Sequence, residues 1–272
     1  MFLYVYLMPA MEQHGCPICH VKNLVEKSYL ENLIFENVND VETRIKFIAS
    51  LGYCPVHAWQ LGMMECEEDG DAIGNSILYE DLVRVVLRPL EQYEKEYKAK
   101  KHNIGFRILN WYKRWRGQLI DLPHEPYSPM IRSKCRVCQI GENNEKYYLE
   151  HMLKDFSQPE SRLREKYLRS DGLCLQHFRM ALNIQKHATE SGAQFLIHQM
   201  LETLPKLARD LREFADKHAW NRKNEEMTPD ERISWIRAIR FFAGNEGNIL
   251  LEDPKEFLSD NKFNNDKKNK ND

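Results

Sequence analysis

The chain has 272 residues, of which 42% are hydrophobic and 11% aromatic, an ordinary composition for a globular protein that excludes extensive disorder. Its 39 basic and 41 acidic residues give a formal charge of -2, so binding to nucleic acid or to an anionic membrane would need a local patch. The apolar opening, residues 1 to 11, is too short to span a bilayer and lacks a basic leading segment. We therefore expect a cytoplasmic protein with no membrane partner.

The predicted elements at the start of the chain are mostly helices. Only residues 2 to 7 alternate as a strand would. From Val21 to Ile34 apolar residues recur at three- and four-residue intervals, as on one face of a helix, and the segment DVETRIKFIAS predicts a second helix. Gly52 then suits the left-handed conformation of a helix C-terminus, and Cys54-Pro55 opens a third helix, since proline is tolerated in a first turn.

A long helix follows, ILYEDLVRVVLRPLEQYEKEYKAKK, which Pro89 is expected to interrupt. Residues 110 to 117, NWYKRWRG, mix cationic and aromatic side chains, a combination that binds phosphates and stacks bases. Those side chains are Trp111, Tyr112, Lys113, Arg114, Trp115 and Arg116. A helix that buries its aromatics against a core and exposes its cations has the same pattern, and we favour it. Nucleic-acid binding stays an alternative function.

Similar elements recur in the second half. Residues 142 to 156 and the segment ESRLREKYLRS predict two helices, Gly172 follows them, and a long helix interrupted by Pro205 comes next. The last helix begins at Thr228, which forms a predicted capping box with Glu231. The residues after about 251 are rich in lysine and asparagine and are expected to be disordered.

Six of the seven cysteines belong to a duplicated motif, C-x2-C followed 34 or 35 residues later by C-x2-H. In a chain with no evident export signal, this spacing favours metal binding or redox chemistry over structural disulfides. The eight candidate ligands are Cys16, Cys19, Cys54 and His57 in the first copy and Cys135, Cys138, Cys174 and His177 in the second. Three thiolates and one imidazole form a common closed zinc site. We expect two zinc ions per chain, each clamping the first helix of one copy to the third helix of that same copy.

Three alternatives to a zinc site agree less well with the sequence around these cysteines. An iron–sulfur cluster could use the same ligands and would make the chain a redox or electron-transfer protein. Haem attachment at CPICH requires export, and Gln139 replaces His20 in the second copy. A thioredoxin-like dithiol expects a βαβ context, which is absent. His14 and His20 are further candidates for ligation or for contact with the ligands, and Cys66 is expected to be a free thiol.

The two copies also share acidic and aromatic residues between the cysteines. Glu26 and Tyr29 align with Glu145 and Tyr148 and could line a pocket near the metals, although surface glutamates and core tyrosines would explain them equally well. The chain shows no glycine-rich phosphate loop, GxSxG elbow or HExxH helix, so the sequence indicates no enzymatic mechanism.

These motifs resemble a family of uncharacterised bacterial proteins, largely from anaerobic Firmicutes, that is catalogued as a domain of unknown function. The resemblance rests on YVYLMPAMEQHGCPIC, LGYCPVH, CRVC and DGLCLQH, which occur in the family's order over residues 4 to 180, and on WIRAIRFFAG near the C-terminus. It implies a bacterial cytoplasmic setting and supports the eight ligand positions. It implies no activity.

The sequence therefore predicts an all-α protein of two tandem, homologous helical modules packed as a bundle. We predict a first module over residues 1–117, a proline-rich linker over 118–134, a second module over 135–250 and a disordered tail over 251–272. The predicted function is a zinc-binding, non-enzymatic scaffold or adaptor that recognises a protein partner.

Overall fold

A computed structural model describes residues 2–69, 71–102, 104–116, 133–222 and 224–245. Within these ranges the fold is all-α, as predicted, and no strand occurs. The α-helices are α1 (Phe2–Ala10), α2 (Pro17–Asn32), α3 (Val41–Ala49), α4 (Pro55–Asp69), α5 (Ile73–His102), α6 (Ile104–Trp115), α7 (Arg136–Phe156), α8 (Arg162–Tyr167), α9 (Leu175–Ile184), α10 (Glu190–Asp216) and α11 (Pro229–Ala243). No helix in this part of the chain is both long enough and apolar enough to cross a membrane.

The predicted helix boundaries have identifiable physical causes. Asp40 accepts a hydrogen bond from the backbone N–H of Thr43 at 2.7 Å and so caps the start of α3. Gly52 has a φ of 81°, and its N–H donates to the Phe47 carbonyl at 2.9 Å just beyond the end of α3. The capping box predicted at α11 is also present, because Thr228 and Glu231 each bond to the other's backbone N–H. These local predictions are confirmed.

Three local predictions differ from the structure. Residues 2 to 7 lie in α1 rather than in a strand. Pro89 and Pro205 do not interrupt their helices, because α5 and α10 continue through them. Pro205 is exposed on α10, where water can satisfy the carbonyl that loses its helical partner. The predicted tail and most of the predicted linker, residues 118–132, lie outside the described residues.

The chain divides into two compact units. Unit 1 comprises Met1–Leu24 and Asn143–Asp272, and unit 2 comprises Val25–Glu142. The division falls inside α2 and α7, the two helices that begin next to the CxxC pairs.

The core of unit 2 is centred on Phe47, which is 1% exposed. Its ring meets those of Tyr53 and Tyr79 edge to face, with centroids 4.9 Å and 5.5 Å away. Leu61 and Leu78 are buried in the same cluster. This core joins residues of α3, α4 and α5 around the start of α4.

The core of unit 1 contains an aromatic group from three helices. The Phe156 ring lies 5.0 Å from that of Tyr167 and 5.1 Å from that of Phe195. The Arg164 guanidinium covers the Phe195 ring at 4.2 Å. Helices α7, α8 and α10 are thus held together next to the start of α9.

Helices α7 and α10 approach each other closely at Gly192. The N–H of Gly192 donates to Ser157 Oγ at 3.2 Å, and a Cβ placed on Gly192 would lie 2.2 Å from the Leu153 carbonyl oxygen. No side chain larger than hydrogen fits there without moving a helix.

We expect Gly192→Ala to lower the free energy of unfolding by about 1–3 kcal/mol, because the new methyl group would force the two helices apart. Gly62→Ala on α4 is the matched control, since nothing lies within 4 Å of its added Cβ; alanine should raise stability there by up to about 1 kcal/mol. Urea denaturation followed by circular dichroism measures both changes. Equal stability of the two variants would contradict the close helix contact.

Candidate metal centres

All eight predicted ligands lie in two groups that could each hold a metal ion. Centre 1 consists of Cys16, Cys19, Cys174 and His177, and centre 2 consists of Cys54, His57, Cys135 and Cys138. Within each group the ligand atoms lie within 4.8 Å of one another. The predicted pairing was wrong, because each centre combines the CxxC pair of one motif copy with the CxxH pair of the other.

Both centres are built at the starts of helices. In centre 1, Cys16 and Cys19 flank the start of α2, while Cys174 is the residue before α9 and His177 lies in its first turn. A cysteine and a histidine three residues apart on a helix face the same side, so one turn delivers two ligands. The partial positive charge of a helix N-terminus also stabilises thiolates.

Centre 2 repeats this construction in unit 2. Cys54 precedes α4 and His57 lies in its first turn, while Cys135 precedes α7 and Cys138 lies in its first turn. Ser133 donates its N–H to the Ala49 carbonyl at 3.1 Å, which brings the start of α7 beside the end of α3. The two ligand pairs of centre 2 are therefore positioned by contacts within unit 2 alone.

The spacing of the ligand atoms matches one tetrahedral ion. In centre 1 the Sγ atoms of Cys19 and Cys174 are 3.9 Å apart, and His177 Nδ1 lies between 3.1 and 3.4 Å from all three sulfurs. In centre 2 the Sγ atoms of Cys54 and Cys138 are 3.7 Å apart. A zinc–sulfur bond of about 2.3 Å in a regular tetrahedron places neighbouring sulfurs about 3.8 Å apart. The residues present therefore fit a mononuclear Cys3His site.

The two centres differ in their exposure to solvent. All four ligands of centre 1 are buried, with Cys16 and Cys174 each 2% exposed. In centre 2, Cys54 and Cys138 are only partly buried. Solvent and reagents thus have better access to centre 2.

A buried glutamate orients the histidine of each centre. The sequence left open whether these glutamates lie at the surface or beside the candidate ligands. His177 Nε2 lies 3.1 Å from Glu145 Oε1, and His57 Nε2 lies 3.4 Å from Glu26 Oε2. Because Nε2 donates its proton to the carboxylate, Nδ1 is the ring nitrogen that faces the sulfurs. The repeated glutamates are buried partners of the ligands rather than surface residues.

The glutamates have different surroundings in the two centres. Glu145 also contacts Lys22 Nζ at 2.9 Å, whereas the residue aligned with Lys22 in the second copy is Gly141. Glu26 instead lies against Gly141, and within the described residues its Oε1 has no hydrogen-bond partner. A buried carboxylate that has the histidine as its only partner among the described residues is less stable than one that also contacts a lysine. Centre 2 therefore has the weaker support around its histidine.

The electrostatics of the two centres favour thiolate and imidazolium. Burial opposes a charged ring, but contacts with Cys135 and Glu26 raise the pKa of His57 to about 10. Burial also opposes ionisation of Cys135, but the contact with His57 lowers the pKa of that thiol to about 6. In centre 1, burial is likewise outweighed by Cys174, Cys19 and Glu145, which raise the pKa of His177 to about 11. A thiolate ready to bind a cation is thus available before any metal arrives.

The other sequence candidates lie apart from these two groups. His20 Nε2 is 2.8 Å from the carbonyl oxygen of His14, and His14 itself is exposed with Nδ1 3.4 Å from Asp171. Cys66 is an exposed free thiol on α4.

The basic-aromatic stretch at residues 110 to 117 does not bury its aromatics, contrary to our expectation. Trp111 and Trp115 are 70% and 73% exposed. The expectation of a core-facing aromatic surface was therefore wrong for this helix.

We expect double substitutions to reveal the pairing across copies. Cys16→Ser/Cys174→Ser should leave about one metal ion per chain, because both changes fall in centre 1. Cys16→Ser/Cys54→Ser should leave almost none, because one ligand is lost from each centre. Elemental analysis of the purified variants distinguishes the two cases. Almost no metal in Cys16→Ser/Cys174→Ser and about one ion in Cys16→Ser/Cys54→Ser would instead show that the ligands pair within each motif copy.

We expect Glu145→Gln to weaken metal binding at centre 1 by about 10- to 100-fold, because the histidine loses the anionic partner that orients it. Competition with a coloured chelator measures the affinity. Glu150→Gln on the same helix is the control, since Glu150 lies outside both ligand groups, and it should leave the affinity unchanged. Equal affinities for the two variants would show that the Glu145 contact has no role in metal binding.

Comparison with known proteins agrees with the resemblance noted in the sequence. A curated protein of Caldicellulosiruptor sp. (strain Rt8B.4), described as "Uncharacterized 23.9 kDa protein in xynA 3'region", is 25% identical over 235 residues, which cover 86% of this chain and 98% of that protein. No solved structure matches the chain. The model of the family of unknown function DUF6062 matches residues 5–248, a span that contains all eight ligands of the two centres. The chain belongs to this family.

Proposed function

We propose that the protein is a non-enzymatic helical scaffold stabilised by two structural zinc ions, one in each centre. The observation that carries this proposal is the convergence of three sulfurs and one imidazole nitrogen around a single point in both centres. Cys16, Cys19, Cys174 and His177 would hold one ion, and Cys54, His57, Cys135 and Cys138 the other. Bound zinc would supply cross-links between helix starts, a role that can contribute on the order of 10 kcal/mol to folding.

The spacing of the ligands supports one ion rather than an iron–sulfur cluster. A cluster distributes its protein ligands over two or more iron atoms, so the ligand atoms spread beyond the edges of a single tetrahedron. Here His57 Nδ1 is 3.2 Å from Cys54 Sγ and 3.4 Å from Cys138 Sγ. These distances are shorter than a bridged cluster would place between its ligands, which supports a single ion.

The closed ligand set supports a structural role over a catalytic one. Four protein ligands satisfy zinc and leave no position for a substrate or an activated water. A cleft beside centre 1 is lined by Tyr167, Asp171 and Arg237, and Cys16 and Cys174 border it. Because those two cysteines are each 2% exposed, a molecule in this cleft would not reach the sulfurs.

A scaffold acts through its surface, and we propose a cytoplasmic protein partner that binds exposed helix residues. The use of cysteine as free thiols within metal groups is typical of reducing compartments. Exposed apolar side chains such as Trp59, Trp235 and Phe242 are available for such a contact.

We expect protein purified without oxygen to contain about two zinc atoms per chain and to lack visible absorption, because zinc has a filled d shell. Elemental analysis and a visible spectrum test this together. Cys66→Ser is the matched control, since Cys66 lies outside both centres and its loss should leave the metal content unchanged. Iron with acid-labile sulfide, and a brown protein, would overturn the proposal in favour of a redox function.

A further inference from the structure

Helix α6 exposes an apolar stripe along one face. Ile108, Trp111, Tyr112 and Trp115 follow the i, i+3, i+4, i+7 spacing of a single helix face. They are 62%, 70%, 40% and 73% exposed. Helix α6 contacts α5 within unit 2, and that contact leaves this stripe open. Amphipathic helices of globular proteins normally turn such a face inward, so an exposed one indicates a binding surface.

Cations surround the stripe. Six basic residues and no acidic residue occur from Lys100 to Arg116, in a chain whose overall charge is -2. Arg107 and Arg116 are exposed and flank the stripe on opposite sides of the helix. Arg116 also covers the ring of Tyr112 at 4.8 Å. The helix therefore combines an apolar face with positively charged edges.

We propose that α6 docks this protein on an anionic lipid bilayer, lying in the plane of the interface with its stripe among the acyl chains. Twelve residues of helix span about 18 Å, too short to cross a bilayer but long enough to lie along its surface. Tryptophan and tyrosine are the side chains favoured at the boundary between headgroups and hydrocarbon. Arginines at the edges of the stripe can extend to the phosphates while their stems stay in the apolar layer.

The distribution of side chains favours lipid over nucleic acid. Single-stranded nucleic acid needs aromatic rings beside cations along a backbone groove. On α6 the exposed aliphatic side chain of Ile108 lies on the same face as both tryptophans, and an aliphatic group gains nothing from base stacking. An acyl layer, in contrast, accepts aliphatic and aromatic groups together. This inference replaces the expectation that no membrane takes part, which rested on the overall charge and on the short apolar opening of the chain.

Flotation of the full-length, metal-loaded chain with lipid vesicles tests the proposal. We expect binding to phosphatidylcholine vesicles that contain about one third phosphatidylserine and little binding to pure phosphatidylcholine. Arg107→Glu/Arg116→Glu should reduce partitioning at least about tenfold, since each cation near an anionic surface contributes about fivefold. Trp111→Ala/Trp115→Ala should reduce it to a similar degree through loss of the apolar contact.

Matched controls separate this surface from general effects of charge and tryptophan. Arg209→Glu/Arg212→Glu makes the same charge change at exposed positions on α10 and should leave most of the binding intact. Trp59→Ala removes a tryptophan that is 75% exposed on α4 and should have no effect. Unchanged metal content in every variant shows that the centres remain assembled.

Four results would overturn the proposal. The first is binding to charged vesicles that does not exceed binding to neutral ones. The second is an equal loss of binding in the control variants. The third is salt-dependent binding of a single-stranded oligonucleotide, in place of vesicle binding, that Arg107→Glu/Arg116→Glu abolishes. The fourth is a dimer in gel filtration that Trp111→Ala/Trp115→Ala converts to a monomer, which would assign the stripe to a second copy of this chain.

Discussion

The requirement that four ligands meet at one point organises much of this structure. In centre 1 that point joins residues as far apart as Cys16 and His177, and bringing such distant segments together has a large entropic cost. Within each pair, the first turn of a helix brings the two ligands together, because residues three apart lie on one side of the helix. The aromatic core of unit 1 then holds α7, α8 and α10 beside α9, so that the second pair of ligands arrives already oriented.

The glutamates extend this organisation beyond the ligands. A buried carboxylate is stable only with a hydrogen-bond donor, and in each centre the ring N–H of the histidine is that donor. The carboxylate in turn fixes which nitrogen faces the sulfurs. Lys22 completes this chain of contacts at Glu145, whereas Gly141 leaves Glu26 without a comparable cation. The same local design therefore gives two centres that differ in the contacts of their glutamates and in their exposure to solvent.

The sequence predicted the helical class and the left-handed glycine at Gly52, and it singled out the eight cysteines and histidines that gather in the two centres, because each depends on a few neighbouring residues. It did not predict which C-x2-C pair joins which C-x2-H pair, since every such combination gives the same set of three thiols and one imidazole. Glu26 and Glu145 each follow a CxxC pair by seven residues, two helical turns along the same face, and that spacing could have revealed their contact with the centres. For α6 the periodicity identified an apolar face correctly, but periodicity does not say what covers such a face.

Each centre takes two residues from each motif copy, and this pairing has a consequence for biosynthesis. A nascent chain that has emerged as far as His57 already carries Cys16, Cys19 and Cys54, which with His57 make a complete Cys3His set. At that stage the second half of each native set has not yet been synthesised. Zinc captured at that stage would bridge the wrong pairs. Centre 2 can assemble only after Cys138 emerges, and centre 1 only after His177. Under the proposed function, an ion captured that early would have to exchange its thiolate ligands before the native centres could form. The rate of ligand exchange, and not affinity alone, would then affect how fast the native state is reached.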